Sequence, residues 1–234
     1  MTTAPPLASH IDHLVVAAAS LDEGVQWCEK TLGTTPGPGG EHPLMGTHNR
    51  LVSVASPTFP LAYLEIIAIH SGAACARSTG AGRWFDLDDR ELQAHLTQSG
   101  PRLIHFVART AGANIAVGAL ARLGLDRGEV LTASRPTAQG LLRWKITVRQ
   151  DGQRLFYGAL PTLIEWGPVH PARGMPASGV VLQSLSACHP RADALRAAHE
   201  AIGLADVEIT PGSPNLTATL QTPLGMVTLA SRGI

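Results

Sequence analysis

One pattern runs through this chain twice and starts a third time: a strand, a helix closed by glycine, then further strands. The first pass runs from "IDHLVVAA" (11–18) through "LDEGVQWCEKTLG" (21–33) to the strands "HNRLVSVA" and "AYLEIIAI". Ser20, followed by Asp22 and Glu23, marks the helix start. Leu21, Val25, Cys28 and Leu32 recur at helical spacing, and Gly33 is a natural stop. The second pass runs from "RLIHFVAR" (102–109) through "AGANIAVGALARLGL" (111–125), with Ile115, Leu120 and Leu123 on the apolar side and Gly124 near the stop. "GEVLTAS", "LLRWKITV" (141–148) and "TLIEW" complete it. "GVVLQSLSA" (179–187), "PRADALRAAHEAIGL" (190–204) and the tail strands begin a third. Repetition at this scale predicts two β-α-β-β-β units and a truncated one.

Polar residues recur at matching places. His13 is third in "IDHLVV" and His105 third in "LIHFVA", 20 and 19 residues ahead of Gly33 and Gly124. "YLEIIA" carries Glu65 and "TLIEWG" carries Glu165. Side chains alternate faces along a strand, so His13, Val15 and Ala17 share one face and Leu14 and Val16 the other. The same parity sets His105 and Val107 opposite Phe106 and Ala108. If the more apolar faces pack on helices, two imidazoles and two carboxylates line an inner surface. His13, Glu65, His105 and Glu165 then form a candidate site for a divalent ion, Ni, Zn, Co, Mn or Fe. The third pass has Gln183 near the first position and no carboxylate in "GMVTLA".

Aligning "GTHNRLV" with "GLLRWKITV" pairs Asn49 with Arg143 and Leu51 with Lys145. Leu142, Trp144, Ile146 and Val148 are expected to pack outward, which turns Arg143, Lys145 and Thr147 inward. Two cations there suggest an anionic substrate. His48, at the start of its strand, and Tyr63, which shares parity with Glu65, complete the candidate substrate contacts. Residues 71–100 form an insert containing "RWFDLDDRELQAHL", an expected amphipathic helix. Arg83, Trp84 and Phe85 read as its packing face, with an aromatic lid as the alternative. "PVHPARGMPASG", from residue 168, reads as a hinge.

Charge and motifs exclude several classes. Lys+Arg and Asp+Glu both number 18, so the basic excess of a nucleic-acid binder is missing. Cys28, Cys75 and Cys188 have no CxxC spacing, and no apolar run reaches the length of a membrane span. "MTTAPPLASH" does not read as a signal peptide, so a cytoplasmic location is expected. No GxGxxG, GxxxxGK[ST] or GxSxG motif is present.

The stretches "IDHLVVAA", "HPLMGTHNRLVSV", "AYLEIIAI" and "PTLIEWGPVHP" resemble the glyoxalase-like domain proteins of the vicinal oxygen chelate superfamily, over about residues 10–172. The resemblance implies an α+β fold: paired βαβββ modules forming a curled mixed β-sheet cup with outer helices, plus a partial third module. The modules would span 10–70, 101–168 and 178–234. It also implies a metal in the cup, with His13, Glu65, His105 and Glu165 matching the four-ligand pattern of glyoxalase I. Three of them would satisfy the two-His, one-Glu pattern of extradiol dioxygenases. A ligand carboxylate, Glu165 or else Glu65, would leave the metal to take a proton. The insert and the third unit depart from the family pattern, and both would cover the cup. The implied function is a metal-dependent isomerase, lyase or dioxygenase acting on a small oxygenated molecule, anionic if Arg143 and Lys145 face inward. The alternative is a metal-free protein that sequesters a small molecule. Both modules lie in one chain, so a monomer suffices and a homodimer is open.

Overall fold

Strands β1 (Ser9–Ala17), β2 (Glu41–His42), β3 (Thr47–Ser53) and β4 (Tyr63–Ile69) come from the first pass. Strands β5 (Arg102–Thr110), β6 (Glu129–Thr137), β7 (Gly140–Val148) and β8 (Thr162–Trp166) come from the second. They form one curled eight-stranded half-barrel in the order β2-β3-β4-β1-β5-β8-β7-β6. β1 lies parallel to β4 and β5 parallel to β8, while β1 and β5 meet antiparallel at the centre. The two passes are thus halves of one sheet. The structure, a computed structural model, describes residues 7–78, 80–137 and 140–233. Residues 1–6, part of the stretch read for a signal peptide, lie outside them.

Helix α1 (Leu21–Leu32) begins where Ser20 accepts from the Glu23 N–H and ends at Gly33, whose φ of 69° is the left-handed conformation glycine adopts without strain. Helix α3 (Ala113–Arg122) buries Ala113, Ala116, Ala119 and Leu120. Ile115 and Leu123, expected on that face, are 65% and 47% exposed. The helix packs through its small residues and turns those two outward. No helix of the described residues is long and apolar enough to cross a membrane.

The sheet has two buried faces. Leu14, Val16, Phe106, Ala108 and Leu163 join the outer core. Residues of β9 (Val181–Cys188), helix α4 (Ala192–Ala201) and β11 (Asn215–Thr222) extend it. With β10 (Glu208–Thr210) and β12 (Gly225–Ala230), these strands form a second sheet, β10-β9-β11-β12, which leans on β5.

The inner face is filled by the insert. Val15, Ala17, Ile67, Val107 and Ile164 pack against Trp84, Phe85, Leu87, Leu92 and Leu96. Leu87, Leu92 and Leu96 are buried, and such burial stabilises by roughly 1.5–3 kcal/mol per side chain. The insert therefore plugs the cup and packs on strands of both halves. Its helix starts later than the sequence suggests: α2 spans Arg90–Ser99, capped by Asp89. Before it comes a tight turn in which Phe85 and Asp86 adopt φ values of 62° and 58°. Asp86 is held there by an ion pair to Arg154 at 2.8 Å.

Candidate active site

The site begins with a register fault. Along the β1–β5 pairing, Ile11 faces Ala108 and His13 faces Val107, so Asp12 is an extra residue in a β-bulge. A bulge breaks strict alternation. It lets Asp12 and His13 bond to each other although they are consecutive: His13 Nδ1 donates to Asp12 Oδ1 at 2.7 Å. Asp12 is fully buried and also accepts from Trp166 Nε1 and His170 Nε2, each at 2.9 Å. Burial alone would raise its pKa. The hydrogen bonds donated by His13 and His170 outweigh it and hold the carboxyl well below the usual carboxylate range. His170 takes the N–H of Ala172 on Nδ1, so its proton is on Nε2, toward Asp12.

With Nδ1 held by Asp12, His13 turns Nε2 toward Glu65 Oε2, 3.6 Å away. Glu65 Oε1 accepts from Asn49 Nδ2 at 2.5 Å. The Asn49 amide is itself oriented, because its oxygen accepts the Gly40 N–H at 2.7 Å. Tyr63 stacks on His13 with ring centres 4.5 Å apart. These four side chains line a cavity of about 40 Å³ and are all nearly buried. His13, Glu65, Asn49 and Tyr63 thus converge from β1, β4 and β3, where sequence parity set them on one face.

The other sequence candidates lie elsewhere. His105 is buried beneath Phe85 and has both nitrogens engaged: Nδ1 with the Gly158 carbonyl at 2.8 Å and Nε2 with the Thr162 N–H at 3.1 Å. Burial, and then the charge of Arg127, push its pKa well below the ordinary histidine value. It is a neutral histidine within the packed interior. Glu165 points the other way. Ile164 and Trp166 line the cavity, so Glu165 falls on the outer face. There it pairs with Lys145 at 2.7 Å and accepts the first N–H of α3 from Ala113 at 2.9 Å. Burial would raise its pKa, but the Lys145 and Ala113 hydrogen bonds leave it lowered.

Arg143 and Lys145 share that outer side, because Leu142, Trp144 and Ile146 of the same strand are the residues that face the cavity. This reverses the expected orientation of β7. The physical reason is that the cup interior is apolar there, closed by the insert, so the apolar face did not mark the helix side. Thr147 is buried and accepts the Leu163 N–H at 2.9 Å. His48 lies outside the cavity, stacked on His70 at 4.7 Å.

The proposed N₂O₂ donor set is therefore not assembled. His13 and Glu65 meet, His105 has no free nitrogen, and Glu165 is across the sheet. Among the described residues no group of three or more His, Cys, Asp or Glu is arranged to hold a metal ion.

Sequence reasoning missed Asp12, His170 and Arg135. Asp12 left one signal, a carboxylate in the apolar run "IDHLVVAA". His170 comes from the linker taken for a hinge, and no pattern marks it. Arg135 shares strand parity with Leu131, which packs in the inner core, and was the charged exception on that face. It lines the cavity together with His42 and Trp84. Burial pushes the His42 imidazole down to about 4.

A family described as a glyoxalase-like domain matches residues 11–203. Among solved structures, a hypothetical protein from Staphylococcus aureus superposes with a TM-score of 0.58 at 12% identity, over 95% of this chain and 85% of that one. Methylmalonyl-CoA epimerase from Mycobacterium tuberculosis aligns with a TM-score of 0.39 at 17% identity, over 72% of this chain and 93% of that one. The Streptomyces coelicolor epimerase in complex with 2-nitronate-propionyl-CoA gives 0.39 at 18% identity, over 68% and 97%. The first likeness is one of fold, and the looser two carry no argument about chemistry. No curated protein matches the chain by sequence.

Proposed function

The chain belongs to the glyoxalase-like domain family of the vicinal oxygen chelate superfamily, and from that premise we propose that it is an isomerase-type enzyme that moves a proton next to a carbonyl. The observation that carries this reading is the linked array Asp12–His13–Glu65–Asn49 opening on a cavity. Glu65 takes the proton from the carbon beside a substrate carbonyl. The C–H electron pair moves to form the carbon–carbon double bond, and the carbonyl oxygen accepts a proton from His13 Nε2, giving the enol. Asp12 supports the imidazolium through Nδ1, and Asn49 holds the Glu65 carboxylate in place. Glu65 then returns the proton to the same or the neighbouring carbon while His13 takes back the enol proton, so the carbon–hydrogen bond exchanges or the substrate isomerises. A positioned acid and base of this kind contribute roughly 10²–10⁴-fold each.

The residues present do not fit a four-ligand metal site, so no step is assigned to an ion. The test is deuterium incorporation, followed by NMR, at the carbon beside the carbonyl of small oxo acids in D₂O. We expect exchange catalysed by the wild type and lost on Glu65→Gln and on His13→Gln. Exchange equal in wild type and Glu65→Gln rejects the reading. Exchange that disappears with chelator and returns with added Zn, Ni, Co, Mn or Fe restores the metal-dependent alternative. Ligand binding without exchange favours a sequestering protein.

A further inference from the structure

Arg135 reaches the cavity mouth from β6, and its Nη1 is buried without a hydrogen-bond partner among the described residues. Trp84 lines the same cavity, and its Nε1 is also buried without a partner among the described residues. Two unpaired donors at one site are costly, each by roughly 1–3 kcal/mol, unless an acceptor arrives. The backbone is shaped for the guanidinium. A Cβ on Gly40 would meet Arg135 Nη1 and push the guanidinium aside, so glycine there leaves room for it in this position. Among the described residues that line the cavity Glu65 is the single carboxylate, and Asn49 and His13 already engage it.

Arg135 also lines a second, larger space. A groove of about 940 Å³ runs outward from Arg135, Leu51, Leu142 and Pro171, which border both cavities. Its walls include Val52, Pro136, Val169 and Met175. The inner cavity, about 40 Å³, admits roughly three water-sized groups at ~10–15 Å³ each. The outer groove lies in the size range of small-molecule sites, ~300–1,000 Å³. A guanidinium at the neck of a largely apolar groove, with Trp84 on the inner cavity behind it, selects a molecule with a compact anionic head and an apolar body.

We infer that Arg135 and Trp84 form a carboxylate seat, and that the substrate is an organic acid whose apolar chain or ring lies in the groove between the β3 edge and the 168–178 linker. The carboxylate takes the Arg135 guanidinium and the Trp84 indole N–H, which sets the adjoining oxo group toward His13 and Glu65. The inference deepens the proton-transfer reading in naming a substrate class, and it rests on that reading only for which atoms react.

Equilibrium binding tests it without turnover. Trp84, Trp144 and Trp166 line the cavity, so intrinsic fluorescence reports occupancy, with calorimetry as the second measurement. The probes are octanoate, acetate and octan-1-ol. We expect octanoate to bind more tightly than either, and Arg135→Gln to weaken octanoate by about tenfold or more while leaving octan-1-ol unchanged. Gly40→Ala, which crowds the guanidinium without removing it, is expected to act in the same direction. Equal binding of octanoate and octan-1-ol, or no effect of either variant, overturns the carboxylate seat. Acetate binding as tightly as octanoate overturns the groove. No binding of octanoate at millimolar concentration overturns both. Glu65→Gln separates the two proposals, since it is expected to abolish exchange and keep octanoate binding. Octanoate binding with no exchange in the wild type leaves the seat standing and removes the proton-transfer reading.

Discussion

Replacing Asp12 by asparagine is the sharpest perturbation of the site, because the outcome is set by counting donors. Asp12 accepts from His13 Nδ1, Trp166 Nε1 and His170 Nε2. Asparagine keeps one acceptor oxygen and brings an NH₂ group. The Trp166 indole only donates, and His170 must donate from Nε2 because Nδ1 takes the Ala172 N–H. The amide oxygen therefore stays with those two, and the NH₂ faces His13. His13 must turn its Nδ1 into an acceptor, which leaves it neutral with its one proton on Nε2. Three bonds to a charged acceptor, roughly 1.5–3 kcal/mol each, become neutral ones of about 1 kcal/mol. A buried amide costs less than a buried carboxylate, which offsets part of that loss. The expected net destabilisation is about 1–3 kcal/mol, read by urea unfolding at pH 7. Exchange per folded molecule is expected to fall ~100-fold, since a neutral imidazole is a far weaker acid than an imidazolium. A merely structural Asp12 would lower stability and leave exchange and its pH profile unchanged. Unchanged stability together with unchanged exchange refutes the donor count itself.

Glu165→Gln is expected to lose at most about 1–2 kcal/mol, the combined worth of a partly exposed ion pair and a helix N-terminus, and to keep full exchange. Loss of exchange with the fold intact would return Glu165 to the chemistry. Stability should also decline in mild acid. His199 is buried, donates Nε2–H to the Ala159 carbonyl at 2.9 Å and leaves Nδ1 buried without a partner among the described residues. Burial pushes its pKa from 6.5 to about 4. The unfolded chain thus binds more protons between those values, and stability is full above pH 6.5 and drains toward pH 4. At pH 5 the loss from His199 is about 2 kcal/mol at ~1.4 kcal/mol per pH unit, and His199→Asn should make the urea-midpoint profile between pH 7 and 5 shallower by that amount, with the decline from His42 and His105 remaining. An unaltered profile in the variant would remove His199 as the source.

The first half of the site could be read from the sequence because parity is a local property. His13, Val15 and Ala17 share a face, Tyr63 and Glu65 share the matching one, and neither statement needs the tertiary structure. Glu165 failed for the same reason that Glu65 succeeded. Glu65 lies beside Val15 and its counterpart Thr162 beside Val107, so matching "TLIEWG" to "YLEIIA" by their glutamates slips the register by three residues, and an odd slip exchanges the faces. The position that faces inward is Ile164. Asp12 was hidden because a bulge depends on the partner strand, not on the run of residues that contains it. β7 misled because it is buried on both sides near its end, where an apolar face says nothing about which side carries the helix.

These corrections share one cause: the two halves of the cup are not equivalent. The insert packs Trp84, Phe85 and three leucines on both halves, but it closes over His105 and leaves a cavity beside His13 and Glu65. His105 is left to tie Gly158 and Thr162 together, with Arg127 donating to the Thr162 hydroxyl. Glu165 stands where the α3 N-terminus, whose own cap residue is Gly112, lacks a side-chain acceptor. The second half still builds the walls of the cavity, through Leu142, Trp144, Ile146 and Ile164, and supplies Arg135 at its mouth. Acid–base groups thus concentrate in the first half and recognition surfaces in the second. Substitutions at Asp12, His13, Glu65 or Asn49 should therefore act on rate at a given occupancy. Those at Arg135, Leu142 or Trp144 should act on occupancy at a given rate.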